Sequence, residues 1–254
     1  MNIIVPVKLV PDLVEELSID ASGTALDTAW LRMIINEFDD HAIEQAILIK
    51  EKTGAHVTVL STNAESVDDL LFTTAAKGAD RLIKLNSNFE MGLNNHGLAR
   101  AMATILRDLK PDLILTGVQA HNDLDGSIGP LLAEYLGMPY IGYVSGVNVS
   151  GDKVLVRKEY PGGLIGEMQA SLPVLLGIQA AEQPPRYVAI SKVRQMMKTM
   201  GIEELDLATL DSSGAPIVNR MFQPETGERA TMLSENAYEA ASQLINIFKE
   251  LGTL

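Results

Sequence analysis

Short apolar runs and helix-like segments alternate four times in the first 136 residues, and this alternation limits the possible folds strongly. The apolar runs are predicted to be strands and cover 3–10, 56–61, 81–85 and 113–115. After each run, apolar residues recur every three or four positions, which is typical of helices that bury one face. Four such repeats predict an α/β fold with a doubly wound parallel sheet and helices on both of its faces.

A long polar loop, from Gly117 to Pro130, joins the fourth predicted strand to the helix that follows it. In an open parallel sheet, loops at the carboxyl ends of the strands line the ligand crevice. Residues 126–129 would offer backbone N–H groups at a helix start, where unpaired donors and the helix dipole favour an anion. The alternative interpretation is a solvated connection whose Asp and Asn residues cap the helix.

The pattern changes after Pro139. Further strands are predicted over 140–149, 153–159 and 168–178, with a hairpin turn at Ser150-Gly151-Asp152. We therefore expect an antiparallel extension of the first sheet. Residues from about 205 to 232 show no clear period and predict an extended arm, and a final helix is predicted from Ser234 to Leu251.

Composition limits the functional class. The 254 residues carry a formal net charge of -13, which argues against nucleic acid and anionic membranes as partners. The chain contains no cysteine, so disulfides and thiolate chemistry are excluded. No apolar run approaches the roughly 18 residues of a membrane span, and the apolar start leads into Lys8 without a cleavage site. We expect a soluble, cytoplasmic protein without membrane insertion.

Motifs of the common hydrolases and of metal sites are absent. The sequence has no Gly-x-Ser-x-Gly elbow, no Walker loop and no His-Glu-x-x-His, and its four histidines are scattered. No catalytic residue and no metal ligand is therefore assigned. This favours a binding or carrier protein. Trp30 is assigned to the ordinary core.

An ordered set of short motifs resembles the electron transfer flavoprotein beta subunits (the ETF beta or FixA family). The motifs are Val7-Lys8-Leu9-Val10-Pro11-Asp12, Asn36-Glu37-Phe38-Asp39, Gly117-Val118-Gln119-Ala120, Gly129-Pro130, Ala133-Glu134-Tyr135-Leu136-Gly137-Met138-Pro139, Arg157-Lys158-Glu159, Gly162-Gly163, Leu172-Pro173 and Pro185-Arg186-Tyr187. The resemblance is close over about 200 residues and looser over the last 50. It implies a Rossmann-like adenine-nucleotide-binding domain over 1–204 and an arm over 205–254 that packs on an alpha subunit.

The resemblance also implies an electron carrier rather than an enzyme. In such a heterodimer the alpha subunit holds the redox FAD, and the beta subunit holds AMP or, in electron-bifurcating members that oxidise NADH, a second FAD. The implied cofactor-binding residues are Pro6, Asn36, Glu37, Phe38, Asp39, Ser61, Thr62, Gly117, Val118, Gln119, Ala120, His121, Asn122, Asp123, Leu124, Asp125, Gly126, Ser127, Ile128 and Gly129.

A basic segment at about 184–200 matches the recognition loop by which this family docks dehydrogenases, such as acyl-CoA dehydrogenases. The implied docking residues are Arg186, Tyr187, Ile190, Lys192, Arg194 and Lys198, with Ile190 as the apolar anchor. The alternative is a solvated basic loop, which is how most charge runs behave.

Departures from the family pattern leave the bound nucleotide open. Asn122-Asp123-Leu124-Asp125 stands where the family has a run of aspartates, and Pro161 stands where an acidic residue is common. The segment from Gly129 to Pro139 is more similar to the bifurcating and anaerobic branches. Two other interpretations are a nucleotide sensor of the universal-stress type and, less favoured, an adenylating enzyme, for which the sequence supplies no phosphate loop after the first strand.

Overall fold

The computed structural model describes residues 1–86, 94–207, 216–225, 227, 230 and 232–253, and the chain divides into two units, Met1–Asn219 and Arg220–Leu254. The strands are β1 (Asn2–Val7), β2 (Leu9–Pro11), β3 (Met33–Ile35), β4 (His56–Thr62), β5 (Arg81–Asn86), β6 (Leu113–Gly117), β7 (Tyr140–Ser150), β8 (Lys153–Tyr160), β9 (Leu164–Ser171), β10 (Val174–Ile178) and β11 (Ile202–Asp206). The helices are α1 (Glu37–Thr53), α2 (Val67–Lys77), α3 (Asn95–Leu109), α4 (Ile128–Leu136), α5 (Ile190–Thr199) and α6 (Ala237–Glu250).

The central sheet of the first unit has the order β11-β5-β4-β1-β6-β10-β7-β8-β9. Its strands from β11 to β7 are mutually parallel, and β8 and β9 extend it in antiparallel fashion. One apolar cluster joins α1 and α2 to one face, and a second joins α3 and α4 to the other. This confirms the predicted doubly wound α/β fold with an antiparallel extension.

Strand β10 differs from the sequence prediction, which treated 168–178 as one strand of an antiparallel half. The run is divided at Leu172-Pro173, and only its first part pairs antiparallel, with β8. The second part, β10, inserts between β6 and β7 and is parallel to both. The alternation of apolar residues gives the face of a strand but not its neighbours, so this insertion was not predictable from it.

The predicted first strand, 3–10, is divided at Lys8. The backbone N–H of Lys8 donates to the carboxylate of Asp39, and its carbonyl accepts from the N–H of Asn36. The chain therefore leaves the main sheet at this residue, and β2 pairs antiparallel with β3 in a separate two-stranded sheet. Trp30 lies in the connection between β2 and β3 and is 94% exposed, so its assignment to the core was wrong.

The basic segment contains a helix, α5, where the sequence suggested only a loop. Apolar residues at helical spacing bring Met196 and Met200 against the core, and α5 packs on α2. Strand β11 follows at once and pairs with β5, so Leu205 and Asp206, which were assigned to the arm, lie at the edge of the sheet.

The second unit contains α6. Its N-cap is Asn236, whose side-chain oxygen accepts from the N–H groups of Tyr238 and Glu239, and not the predicted Ser234. The helix has an apolar stripe that includes Leu244, Ile245 and Phe248, all more than a third exposed. Residues 208–215 of the predicted arm lie outside the described residues. Within the described part of the chain, no helix combines the length and apolar character needed to cross a bilayer.

Candidate functional site

A cleft opens at the carboxyl edge of the parallel strands, between β1 and β6. These strands pair only at Ile3 with Leu113 and at Ile4 with Ile114, so their hydrogen-bonded pairing ends before the last residues of both strands. The chain builds β4 and β5 on one side of β1 and then crosses to β6 on the other, so the cleft lies at the topological switch point where open α/β sheets bind ligands. The cleft is partly open to solvent.

Pro6 occupies the side of β1 where pairing to β6 has ended. Because proline has no N–H, it leaves no unpaired donor on the strand edge that faces the cleft. Its other neighbour, Leu60 of β4, remains in register. The proline therefore lies within the strand and borders the cleft.

Asp39, in the first turn of α1, binds the chain at the end of β1 and at the end of β6. One carboxylate oxygen accepts from the backbone N–H of Lys8 at 3.0 Å, and the other accepts from the N–H of Gly117 at 3.0 Å. Asp39 is 5% exposed, and burial raises the pKa of its carboxyl to about 7, although the hydrogen bonds from Lys8, Asn36 and Gly117 oppose this change. Asp39 thereby fixes the width of the cleft.

Gly117 is required by the closeness of α1. A Cβ at this position would lie 2.6 Å from Oδ1 of Asp39 and 2.7 Å from Cβ of Phe38. Just beyond it, Nδ2 of Asn36 donates to the carbonyl of Gln119 at 2.9 Å. The start of the loop is therefore held against the N-terminus of α1 by backbone-directed contacts.

Asp123 anchors the middle of the loop. Its Oδ2 accepts from the N–H of Ala120 at 2.8 Å, and its Oδ1 accepts from Nζ of Lys8 at 2.6 Å and from Nδ2 of Asn95 at 2.9 Å. Asn95 also donates to the carbonyl of Gly126 at 2.7 Å. The loop is thus tied to the end of β1 and to the start of α3.

Helix α3 contributes a cleft wall that the sequence reasoning missed. Asn95, Leu98 and Met102 face the cleft, and Asn95 is only 2% exposed. The sequence contained one indication of this wall: Asn95 is a polar residue at the start of a helix whose same side is otherwise apolar. Asn94, the N-cap, accepts from the N–H of Gly97, and this directs Asn95 inward.

Several buried polar atoms of this region have no hydrogen-bond partner within the described residues. They include Oδ1 of Asn122, Oδ1 of Asp125 and Oγ1 of Thr116. The Thr116 hydroxyl lies against Gly129 at the start of α4, where a Cβ would come within 2.6 Å of it. Buried polar atoms normally have hydrogen-bond partners. The unpaired side-chain oxygens would suit the hydroxyl or amino groups of a ligand, and the N–H groups at the start of α4 would suit an anionic group of the same ligand.

The structure brings together part of the implied nucleotide set. The members that line the cleft are Pro6, Asn36, Asp39, Thr62, Gly117, Gln119, Ala120, Asp123 and Ile128, joined by Val7 and Lys8. The members outside its lining are Glu37, Phe38, Ser61, Val118, His121, Asn122, Leu124, Asp125, Gly126, Ser127 and Gly129. Ser61 is buried in β4 and Val118 is buried just after β6, whereas Glu37, His121 and Leu124 are exposed.

The implied docking residues separate into two groups. Ile190 begins α5 and is 66% exposed, and Tyr187 just before it is 87% exposed. The charged side chains of Lys192, Arg194 and Lys198 are also exposed on α5. Arg186 instead points inward and pairs with α1.

Comparison with known proteins identifies the family. The sequence profile described as "Electron transfer flavoprotein domain" matches residues 25–210. The chain belongs to the electron transfer flavoprotein family. It is 32% identical to the electron transfer flavoprotein subunit beta of Methylophilus methylotrophus and 31% identical to that of Clostridium acetobutylicum, with 98% of each chain covered in both comparisons. It is also 28% identical to an acryloyl-CoA reductase electron transfer subunit gamma of Anaerotignum propionicum, over 97% of both chains.

Membership of the electron transfer flavoprotein beta subunits confirms the resemblance seen in the sequence. The protein is an electron transfer component rather than an enzyme, and the interpretation as a nucleotide sensor is not supported. The family is associated with flavin, so FAD belongs to the complex in which the chain works.

Proposed function

We propose that this chain is the beta subunit of a heterodimer, carries an adenine nucleotide in the cleft between β1 and β6, and presents α5 to partner dehydrogenases. The observation that carries the proposal is the cleft itself, which lies at the switch point of the sheet and is lined on one side by Gly117, Gln119, Ala120, Asp123 and Ile128 of the loop. The alpha subunit would hold the redox FAD.

The residues fit a nucleotide in two ways. The backbone N–H groups of residues 126–129, at the start of α4, suit the phosphates. The unpaired acceptors of Asn122 and Asp125 suit ribose hydroxyls or the adenine amino group. The ammonium of Lys8 is held by Asp123, so it orients the loop instead of adding a free charge to the cleft.

Two nucleotides remain as candidates. AMP would have a structural role in this subunit, whereas FAD would add a second flavin that exchanges electrons and would make the heterodimer an electron-bifurcating carrier that oxidises NADH. The decisive measurement is the flavin count per heterodimer after co-purification with the alpha subunit, together with AMP released by acid. One flavin with one AMP indicates the first candidate, and two flavins indicate the second. A heterodimer with one flavin and no AMP would contradict the nucleotide proposal.

Ser127→Asp tests whether phosphates lie at the start of α4. Ser127 has ordinary extended backbone angles and is the N-cap of α4, so aspartate there supports the helix while its charge repels a phosphate. We expect the heterodimer to fold but to lose AMP or the second FAD. Ser127→Asn is the matched uncharged control and should retain the nucleotide. Parental nucleotide content in the Asp variant would show that the phosphates bind elsewhere.

The docking surface is α5 with Ile190 as its anchor. An exposed apolar side chain surrounded by charged residues has the form of an interface anchor with a polar rim. The relative named as an acryloyl-CoA reductase subunit supports a CoA-linked flavoenzyme, such as an acyl-CoA dehydrogenase, as the partner.

Ile190→Ala should slow reduction of the heterodimer by a substrate-loaded acyl-CoA dehydrogenase, with KM for the dehydrogenase raised about tenfold or more. Flavin content and reduction by dithionite should be unchanged. Ile190→Leu, which keeps the apolar volume, is the control. Stopped-flow flavin absorbance measures both reactions, and a parental rate for Ile190→Ala would remove α5 from the docking site.

The part of the chain that follows β11 is proposed to pack on the alpha subunit, and the exposed apolar stripe of α6 supports this. Expressed without the alpha subunit, the chain should aggregate or retain flavin poorly in size-exclusion chromatography. A stable monomer with fully bound, redox-active FAD would contradict the heterodimer.

A further inference from the structure

Arg186 stands in the basic segment but makes its contacts with α1. Its Nε donates to both oxygens of Glu44 at 3.0 Å, and its Nη2 donates to Oε1 of Glu44 at 2.8 Å. Its Nη1 donates to Oε1 of Glu51 at 2.6 Å. The backbone N–H of Arg186 adds a bond to Oε2 of Glu44 at 2.9 Å. One arginine therefore joins two carboxylates that lie two turns apart on one helix.

Burial makes this contact specific to arginine. Glu44 is 1% exposed, and a buried carboxylate is tolerated only when it is paired and hydrogen-bonded. The planar guanidinium donates hydrogen bonds to both carboxylate oxygens of Glu44 and still reaches Glu51. The ammonium of a lysine could not make both contacts. The hydrogen bonds from Glu44 and Glu51 raise the pKa of Arg186 above its usual range.

Helix α1 holds the residues just before Arg186 as well. Nδ1 of His41 accepts from the N–H of Ala181 at 3.2 Å, and Oε1 of Gln45 accepts from the N–H of Glu182 at 3.1 Å. We name residues 181–186 the strap. Its backbone is fixed to successive side chains along one face of α1, and the contact at Arg186 is the last of them before α5 begins at Ile190.

The two ends of α5 are therefore held by different structures. The C-terminal end continues into β11, which pairs with β5, and Met196 and Met200 pack on the core. The N-terminal end, which carries Ile190, is connected to the rest of the unit through the strap. Loss of the Arg186 contact should free this end alone.

We propose that Arg186 is a positioning residue. Its hydrogen bonds to Glu44 and Glu51 hold the N-terminal end of α5 in the orientation that docks partner dehydrogenases. This inference rests on the proposed docking role of α5. The sequence implied that Arg186 contacts the partner directly. We replace that role, because the charge of Arg186 is paired with Glu44 and Glu51 within the chain.

The test compares three variants of the heterodimer with the parental protein. Arg186→Ala removes the fork but leaves Glu44 buried without its partner, which can prevent folding. The double variant Glu44→Met with Arg186→Met removes both charges and keeps apolar volume, so it is expected to fold. Lys52→Ala, which removes an exposed ion pair between Lys52 and Glu182 in the same strap, is the matched control.

Two measurements decide the result. Steady-state reduction by an acyl-CoA dehydrogenase should give a KM for the dehydrogenase raised about tenfold in the double variant, with kcat at saturation unchanged. Amide hydrogen exchange should become faster in residues 183–192 and stay parental in 196–206. Lys52→Ala should be parental in both measurements.

Other outcomes would contradict either the positioning role of Arg186 or the docking role of α5. A parental KM in the double variant, when Ile190→Ala raises KM, overturns the positioning role. An unchanged exchange rate in 183–192 does the same, and so does an equal rise of KM in Lys52→Ala. A parental KM in Ile190→Ala instead removes the docking role of α5, and the failure then belongs to the proposed function.

Discussion

The first turn of α1 and its middle turns support two different regions of the molecule by different means. In the first turn, Asp39 binds backbone N–H groups of Lys8 and Gly117 and so holds the cleft. Further along, Glu44 binds the side chain of Arg186 and so holds the strap. The contact at the cleft needs only one specific side chain, Asp39, because its partners are backbone groups that the chain topology brings close. The contact at the strap needs two specific side chains, Glu44 and Arg186.

This difference predicts that the two regions can be damaged separately. A change at Asp39 or Gly117 should alter nucleotide retention and stability while docking is kept, and a change at the strap should do the reverse. Both regions nevertheless share the core packing of α1. A substitution within the core of α1 is therefore expected to affect both.

The largest effect is expected from the pH dependence that Asp39 gives to the cleft. Its folded-state pKa of about 7 lies above the ordinary 3.8, so the unfolded chain releases this proton first as pH rises. Stability should therefore fall as pH rises from about pH 4, by about 2 kcal/mol from pH 5 to pH 7, and level off above about pH 8.

Asp39→Asn should remove this part of the pH profile. The measurement is the difference in unfolding temperature between parental and variant heterodimers from pH 5 to pH 8. Asp20→Asn is the control, because Asp20 is partly exposed and the hydrogen bonds from Ser22 lower its pKa, which keeps it ionised throughout. A parental profile in Asp39→Asn would contradict the assignment of the titrating group.

The second largest effect is expected from Gly117→Ala. The added Cβ has no room beside Asp39 and Phe38, so the strand end must move, at a cost of about 2 kcal/mol. Nucleotide should be lost, and KM for the dehydrogenase should stay parental. Gly201→Ala, where a Cβ meets no atom within 4 Å, is the control for thermal unfolding and nucleotide content. Full nucleotide content in Gly117→Ala would show that the cleft tolerates a different width.

The comparison also shows what sequence could reveal. The strands β1, β4, β5 and β6 follow from continuous apolar runs, and the loop after β6 follows from its place between a strand and a helix. Backbone-directed contacts such as those of Asp39 accompany that topology, so the cleft could be anticipated at the end of the parallel strands.

The strap could not be anticipated in this way. Arg186 and Glu44 are 142 residues apart, and a basic residue among Lys192, Arg194 and Lys198 has no local mark of an inward orientation. Asn95 was missed for a similar reason, because its partners Asp123 and Gly126 lie in a different loop. Long-range pairing of polar side chains is decided by packing, and local periodicity does not report it.

A smaller effect is expected from Asn95→Ala, which sharpens the comparison within the cleft. The loop 117–129 would lose two hydrogen bonds but keep its contacts to α1, so we expect nucleotide affinity to fall about tenfold, equivalent to about 1.4 kcal/mol, with the fold retained. Isothermal titration of the nucleotide-free heterodimer with AMP measures this. His96→Ala, on the exposed side of the same helix start, should bind as the parental protein does. Equal affinity in the two variants would show that Asn95 has no part in preforming the loop.

The smallest effect is expected from the exposed charges of α5, and it separates them from Arg186. Lys192, Arg194 and Lys198 form no ion pair within the described residues, so they can act on an acidic partner only through solvent. Changing all three to Gln should leave flavin content and the unfolding temperature parental and should reduce the salt dependence of the association rate, since rim charges steer the encounter. Stopped-flow association with the dehydrogenase at about 50 mM and about 200 mM salt measures this difference. Lys110→Gln with Lys153→Gln, which removes two exposed charges elsewhere, is the control. An unchanged salt dependence in the triple variant would mean that α5 docks through Ile190 without steering, and the charges would then be only a solvated face of the helix.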